Sequence, residues 1–221
     1  MQKVLPLIVA GLGLGAGLAL MLPPPPRFTT TGEPEQAQDL ENLAPVLSLL
    51  DTMTDTNDSP QADNNVAAFL AAIRWAEGTA DANGYRRMFG GALFDSFADH
   101  PRRAVRFTNK EGRTLWTSAA GAYQFLAISP IPGGSTKVDT WDRLQEKLGL
   151  PDFSPASQDA AAVELIREAG ALGEVKAGNF AAAVQKVRRI WASMPGAGYA
   201  QPEKTLERLA AVYQTKGGTL A

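Results

Sequence analysis

Between Asp63 and Gly217 helix-starting and helix-stopping residues recur, and only one stretch breaks the pattern. Asp63 or Asn64 can cap a helix running to Ala76 or Glu77, with Val66, Phe69, Leu70 and Ile73 at helical spacing. Asp139 or Thr140 opens a second helix carrying Trp141, Leu144 and Leu148 and stopped by Gly149. Ser154-Pro155 starts a third, ending near Gly170, because a hydroxyl cap followed by proline suits a first helical turn. A fourth runs from Asn179 through Trp191, and Pro202 opens a fifth with Leu206, Leu209 and Tyr213, ending at Gly217. The exception is "RRAVRFTNKEGRTLWTS", where β-branched and aromatic residues flank Asn109-Lys110-Glu111-Gly112 and predict a short β-hairpin. The chain is thus constrained to an α+β fold, a mainly helical domain with one small hairpin lobe and a groove between lobes.

The residues before this region cannot belong to the same core. Val4 to Leu22 is an uncharged stretch of 19 residues, close to the roughly 20 of a spanning helix, preceded by Lys3 and closed by Pro23 to Pro26. It predicts an N-terminal hydrophobic helix over residues 1–22, serving as a signal peptide or a membrane anchor. Seven of its 19 residues are Gly or Ala, and although Gly15-Ala16-Gly17 and Gly17-Leu18-Ala19 have small residues at the right spacing, no clean Ala-x-Ala cleavage site is present, which favours an uncleaved but weakly held anchor. Residues 23–63 form a Pro-rich, acidic, flexible linker, and residues 64–218 the folded domain. Positive charge before the span and acidic charge after it put the N-terminus in the cytoplasm and the rest outside the inner membrane.

Composition narrows the chemistry. The 221 residues, 45% of them apolar, suffice for one soluble core. The net charge of −2 hides a division: residues 27–63 carry one basic and eight acidic groups, and residues 64–221 carry 19 basic and 15 acidic. That modest positive balance does not call for nucleic acid. With no Cys and a single His, His100, neither a thiol nucleophile nor a Cys- or His-rich zinc site can be assembled, so no metal or cofactor is expected. Cysteine peptidases and zinc amidases are excluded on that ground.

Glu77 ends the first helix. It lies four residues after Ile73 and eleven after Val66, so at about 100° per residue it continues the buried stripe. Desolvation there disfavours the ionised form, and a carboxyl still protonated near neutrality can donate a proton to a leaving oxygen. Position alone favours a plainer role, a glutamate paired with arginine or capping a neighbouring group. "TSAAGAYQF" (117–125) places small residues beside Tyr123 and Gln124, which offer a stacking face and amide donors and acceptors suited to sugars. "IWASMPGAGYAQ" (190–201) ends a helix in a Pro-Gly turn presenting Tyr199 and Gln201. Either could equally be packing or connection.

Together the stretches "FLAAIRWAEGT", "GGALFDSFADHPRR", "AGAYQFL", "WDRLQEKLGLPDFSPASQDA" and "IWASMPGAGYAQ" closely resemble the endolysins of lambdoid phages, the lambda lysozyme family, whose members are lytic transglycosylases. The resemblance covers about Asn65 to Gly218, in order. It implies a lysozyme-like fold with two lips around a saccharide groove, Glu77 as the single catalytic acid, and Tyr123, Gln124, Gln158 and Tyr199 lining the groove. It also implies that peptidoglycan glycan strands are the substrate, cut between N-acetylmuramic acid and N-acetylglucosamine to leave a 1,6-anhydro end. A monomer is expected, with the inner membrane as a further partner through residues 4–22.

Two departures stand out: family members commonly lack such an exported front end, and Ala122 occupies a position that is basic in the familiar phage sequence. The rival readings are a two-carboxylate hydrolase, with Asp95, Asp99 or Glu111 as partner roughly 5 to 9.5 Å from Glu77, and an inactive peptidoglycan-binding virion module. Asp99 and His100 could instead organise the turn that contains Arg102 and Arg103.

Overall fold

The computed structural model describes residues 59–109, 112–197 and 204–221. Helix α1 (Pro60–Glu77) is followed by a 3₁₀ turn (Gly84–Arg86), strands β1 (Val105–Thr108) and β2 (Thr114–Thr117), and a two-residue pair β3 (Pro130–Ile131) and β4 (Gly134–Ser135). Helices α2 (Thr140–Leu148), α3 (Pro155–Glu168), α4 (Leu172–Lys176), α5 (Phe180–Val187) and α6 (Leu206–Thr215) complete the chain. The described residues form an α+β arrangement. The hydrophobic helix expected over residues 4–22, and nearly all of the expected linker, lie outside them. No helix among the described residues is long and apolar enough to cross a membrane.

Helix α1 begins a turn earlier than Asp63 or Asn64. Ser59 is the cap, its Oγ accepting from Ala62 N–H at 3.2 Å, and Pro60 takes the first helical position, where it has no hydrogen bond to lose. One face buries Val66, Phe69, Leu70 and Ile73 against α6, α4 and α3. Each such side chain contributes about 1.5–3 kcal/mol relative to exposure. Phe69 meets Phe180 edge-on at 5.7 Å, and Phe180 in turn lies 4.7 Å from Tyr213, linking α1 to α5 and α6.

The hairpin forms where expected. Strands β1 and β2 pair antiparallel from Val105 opposite Thr117 to Thr108 opposite Thr114. Asn109 closes the turn, its N–H donating to Arg113 O at 2.9 Å and its side-chain oxygen accepting from Arg113 N–H at 2.8 Å. The inner side of the hairpin rests on Phe89 through Phe107, with 5.3 Å between ring centres.

Two helix ends differ from the periodic reading. Helix α5 stops at Val187 rather than Trp191, because Ile190 N–H bonds back only to Val187 O and the chain turns. Helix α6 starts at Leu206, where Thr205 Oγ1 accepts from Arg208 N–H, and Pro202 lies outside the described residues.

Candidate functional site

The last turn of α1 explains the placement of Glu77. Thr79 N–H donates to Arg74 O at 2.8 Å and Gly78 N–H to Trp75 O at 3.2 Å, a paired closure that requires left-handed backbone at Gly78 (φ 75°). The helix therefore ends abruptly, and Glu77 projects from its carbonyl end. Thr79 Oγ1 donates to Ala122 O at 2.6 Å, joining the "WAEGT" turn to the "AGAYQ" loop. From the other side comes the chain after α5, where Trp191 Nε1 donates to Tyr123 O at 3.2 Å and Ser193 Oγ donates to Glu77 Oε1 at 2.5 Å.

Part of the Glu77 residue reaches solvent, but its Oε2 is buried with no hydrogen-bond partner among the described residues. Burial pushes the carboxyl from an ordinary 4.5 up to about 8, against the Ser193 hydrogen bonds and the Lys204 ammonium, which all favour the charged form. The negative end of the α1 dipole lies at the same place and also disfavours a carboxylate. Lys204 is itself held over the Trp75 ring at 5.0 Å, and its N–H donates to Ser193 O at 3.0 Å. The site thus holds a neutral carboxylic acid at pH 7, with an ammonium close enough to stabilise the carboxylate left when the proton departs.

The other expected site residues separate. Tyr123 and Gln158 are completely buried, so contact with a saccharide gives way to a supporting role. Tyr123 donates its hydroxyl to Asp159 Oδ1 at 2.5 Å, and Tyr85, which accepts from Arg74 Nη1, donates to the same carboxylate. Gln158 Oε1 accepts from Ala122 N–H at 2.8 Å, while its Nε2 donates to Tyr85 O and Phe153 O. The small residues before Tyr123 serve this packing: a Cβ on Gly121 would lie 2.2 Å from Gln158 Oε1.

Gln124 is nearly buried, its amide nitrogen donating to Gly121 O and Arg87 O, and its backbone is left-handed at φ 53°. Tyr199 and Gln201 lie outside the described residues. The structure therefore brings Glu77 together with the two loops named from sequence, through backbone groups and Ser193 more than through the named aromatic and amide side chains.

Asp95 is fully exposed, 3.5 Å from Arg86, and Glu111 lies outside the described residues. Asp99 accepts from Arg102 Nε at 2.7 Å and from His100 N–H at 2.7 Å, and the arginine pairing holds its carboxyl below the usual range despite partial burial. His100 Nδ1 accepts from Arg102 N–H while Nε2 faces Phe125 O at 3.0 Å, and burial lowers the imidazole to about 4. This is the turn-organising role; Arg102 reaches on to Asp142 and Ile128 O.

Sequence reasoning passed over Ser193, Lys204 and Asp159. Ser193 stands inside "IWASMPGAGYAQ", but a lone serine before a Pro-Gly turn reads as a connection. Asp159, next to Gln158 on α3, sits on a helix face that is buried almost throughout, and a carboxylate amid Ala161, Ala162 and Val163 is the signal that could have marked it.

The endolysin family profile matches residues 67–220. The endolysin of Escherichia phage lambda is 38% identical over 166 residues, covering 72% of this chain and 96% of the relative. That of Escherichia phage P2 is 39% identical over 170 residues, covering 71% and 95%. Among solved structures, bacteriophage lambda lysozyme complexed with a chitohexasaccharide superimposes with a TM-score of 0.62 at 36% identity, covering 76% of this chain and all of that one. A second structure of lysozyme from bacteriophage lambda gives 0.60 at 35% identity. Matched along nearly the whole length of these relatives, the chain belongs to the endolysin family.

Proposed function

We propose that this endolysin is a peptidoglycan lytic transglycosylase in which Glu77 is the single acid and base. The observation that carries the reading is the buried Glu77 carboxyl, neutral at pH 7, with Oε1 held by Ser193 and Oε2 unengaged. In the first step Glu77 gives its proton to the oxygen bridging N-acetylmuramic acid and N-acetylglucosamine, the C1–O bond breaks, and C1 takes on oxocarbenium character. In the second step the muramic C6 hydroxyl attacks C1, its proton passes to the Glu77 carboxylate, and a 1,6-anhydro ring closes. Glu77 ends protonated as it began, and no water is consumed.

The glycan substrate is supported by the relative whose structure holds a chitohexasaccharide. A one-carboxylate route is supported by the engagement of Asp99 with Arg102 and the exposure of Asp95. Gln124 and Tyr199 remain the proposed groove contacts, with Tyr123 and Gln158 bracing the loop behind them.

Mass spectrometry of muropeptides released from purified sacculi by the full chain tests the reaction. Anhydro ends, one water lighter and resistant to borohydride, are expected. Reducible ends would establish hydrolysis, and a Glu77→Gln variant that still solubilised sacculi would remove Glu77 from the chemistry.

Residues 4–22 act as an export signal or anchor and residues 23–58 as a tether up to the Ser59 cap of α1, with the catalytic region on the periplasmic face of the inner membrane. The uncharged span and the charge asymmetry around it support this. Fractionation of the full chain beside one beginning at Ser59 checks it; full-length protein in the cytosol would defeat it.

A further inference from the structure

We propose that Ser193 is a positioning residue for the reaction, holding Oε1 of Glu77 so that Oε2 is the oxygen that carries the transferred proton. This rests on the reading of Glu77 as the acid and goes beyond it by distinguishing the two carboxyl oxygens.

The geometry is asymmetric. Oε1 accepts from Ser193 Oγ at 2.5 Å, whereas Oε2 is buried and accepts from nothing among the described residues. An oxygen already accepting a hydrogen bond is the poorer seat for the acid proton, so the proton resides on Oε2. The Ser193 N–H adds a second donor to the same carboxyl.

Ser193 is built to stay in place. Its neighbour Met194 and nearby Trp191 are wholly buried, and Trp191 is tied to Tyr123 O. Met194 N–H donates to Trp191 O at 3.1 Å, and Lys204 N–H secures Ser193 O at 3.0 Å.

Once the proton leaves Oε2, the Ser193 hydroxyl becomes a donor to a carboxylate, and such charge-assisted bonds are roughly twice as strong as neutral ones. Ser193 therefore stabilises the state after proton donation more than the state before it, and differential stabilisation of that kind raises kcat. Of the charged groups among the described residues, the Lys204 ammonium acts on Glu77 from the same segment. On α1 itself Arg74 is engaged with Tyr85, and Tyr85, Tyr123 and Asp159 form one hydrogen-bonded group on the α3 side.

The test uses the full chain on purified sacculi, with Glu77→Gln alongside. Ser193→Ala is expected to lower kcat by about 10- to 100-fold, the loss of one hydrogen bond to a charged group, with KM within about 2-fold. Because Ser193 favours the ionised form, its removal moves the alkaline fall-off in activity to higher pH. Wild-type kcat and an unmoved pH profile in Ser193→Ala would overturn the proposal.

If the alanine variant does not melt cooperatively, Ser193→Thr and Ser193→Val, alike in shape, pose the same question. Activity kept by threonine and lost by valine supports the role of the hydroxyl, and equal activities refute it. Activity in Glu77→Gln would instead defeat the assignment of the acid, whereas an inactive Glu77→Gln with an unchanged Ser193→Ala defeats only the role of Ser193.

Discussion

At the scale of single residues, burial makes Glu77 costly to the fold, and the same burial suits it to the proposed role of acid. Its carboxyl titrates near 8 in the folded chain and near 4.5 when exposed. Between those values the folded protein holds a proton that the unfolded chain has released, so this group's contribution to stability is complete below pH 4.5 and is lost as pH rises through 8. The slope is at most about 1.4 kcal/mol per pH unit. Glu77→Gln is therefore predicted to match the wild type in chemical denaturation at pH 4 and to become progressively more stable than it from pH 4.5 to 8. Parallel curves for the two proteins would count against burial of the carboxyl.

His100 acts in the opposite sense. Its imidazole is kept neutral down to about 4 against an ordinary 6.5, so its contribution is present above 6.5 and lost on acidification towards 4. The burial of Glu77 was legible in the sequence because helical periodicity fixes which face a residue occupies. The roles of Tyr123 and Gln158 were not, because residue type alone cannot say whether a tyrosine or glutamine faces a ligand or an interior partner. Asp159 supplies the partner for Tyr123, and the Ala122 amide and nearby carbonyls supply those for Gln158.

At the scale of elements, the site depends on three chain segments held together by close backbone approach. Gly121 is the tightest point: its backbone is left-handed at φ 79°, and a methyl group would strike Gln158 Oε1 at 2.2 Å and Phe153 Cζ at 2.8 Å. Gly121→Ala combines backbone strain with overpacking and is predicted to destabilise the protein by about 2–4 kcal/mol. Thermal melting with a parallel activity assay checks it; a variant as stable as wild type would show that the loop is looser than described.

The elements themselves were largely readable, since α2 and α3 fall where their caps and apolar spacing place them. The misplaced ends have local causes. Helix α1 uses Ser59 and Pro60, which a composition-based linker boundary had absorbed, and α5 yields its last turn to the bend that carries Ser193 to Glu77. The short α4 and the β3–β4 pair are too brief for periodicity to reveal.

At the scale of the whole molecule, the C-terminal residues clasp the start of α1. Thr219 N–H donates to Asn65 Oδ1 at 2.9 Å, Ala221 N–H to Gly178 O at 3.0 Å, and Tyr213 Oη to Thr219 O at 3.2 Å. Asn65, itself buried, also donates to Lys176 O at 3.0 Å, so one side chain ties α1, the end of α4 and the C-terminus together. Ending the chain at Lys216 is predicted to cost about 2–4 kcal/mol, from lost hydrogen bonds and a less satisfied Asn65. Activity well below the melting temperature should persist, because these contacts lie near the opposite end of α1 from Glu77. Loss of activity without loss of stability would contradict that separation. None of this clasp was legible in the sequence, because pairings 154 residues apart leave no local pattern.

Burial keeps Glu77 protonated at neutral pH. Carbon-13 NMR titration of the full chain labelled at glutamate carboxyls, with the Glu77 resonance assigned by its absence in Glu77→Gln, measures this directly. A midpoint at about 8 is predicted, and a midpoint near 4.5 would show a solvated carboxylate, ionised at neutral pH and unable to act as the acid.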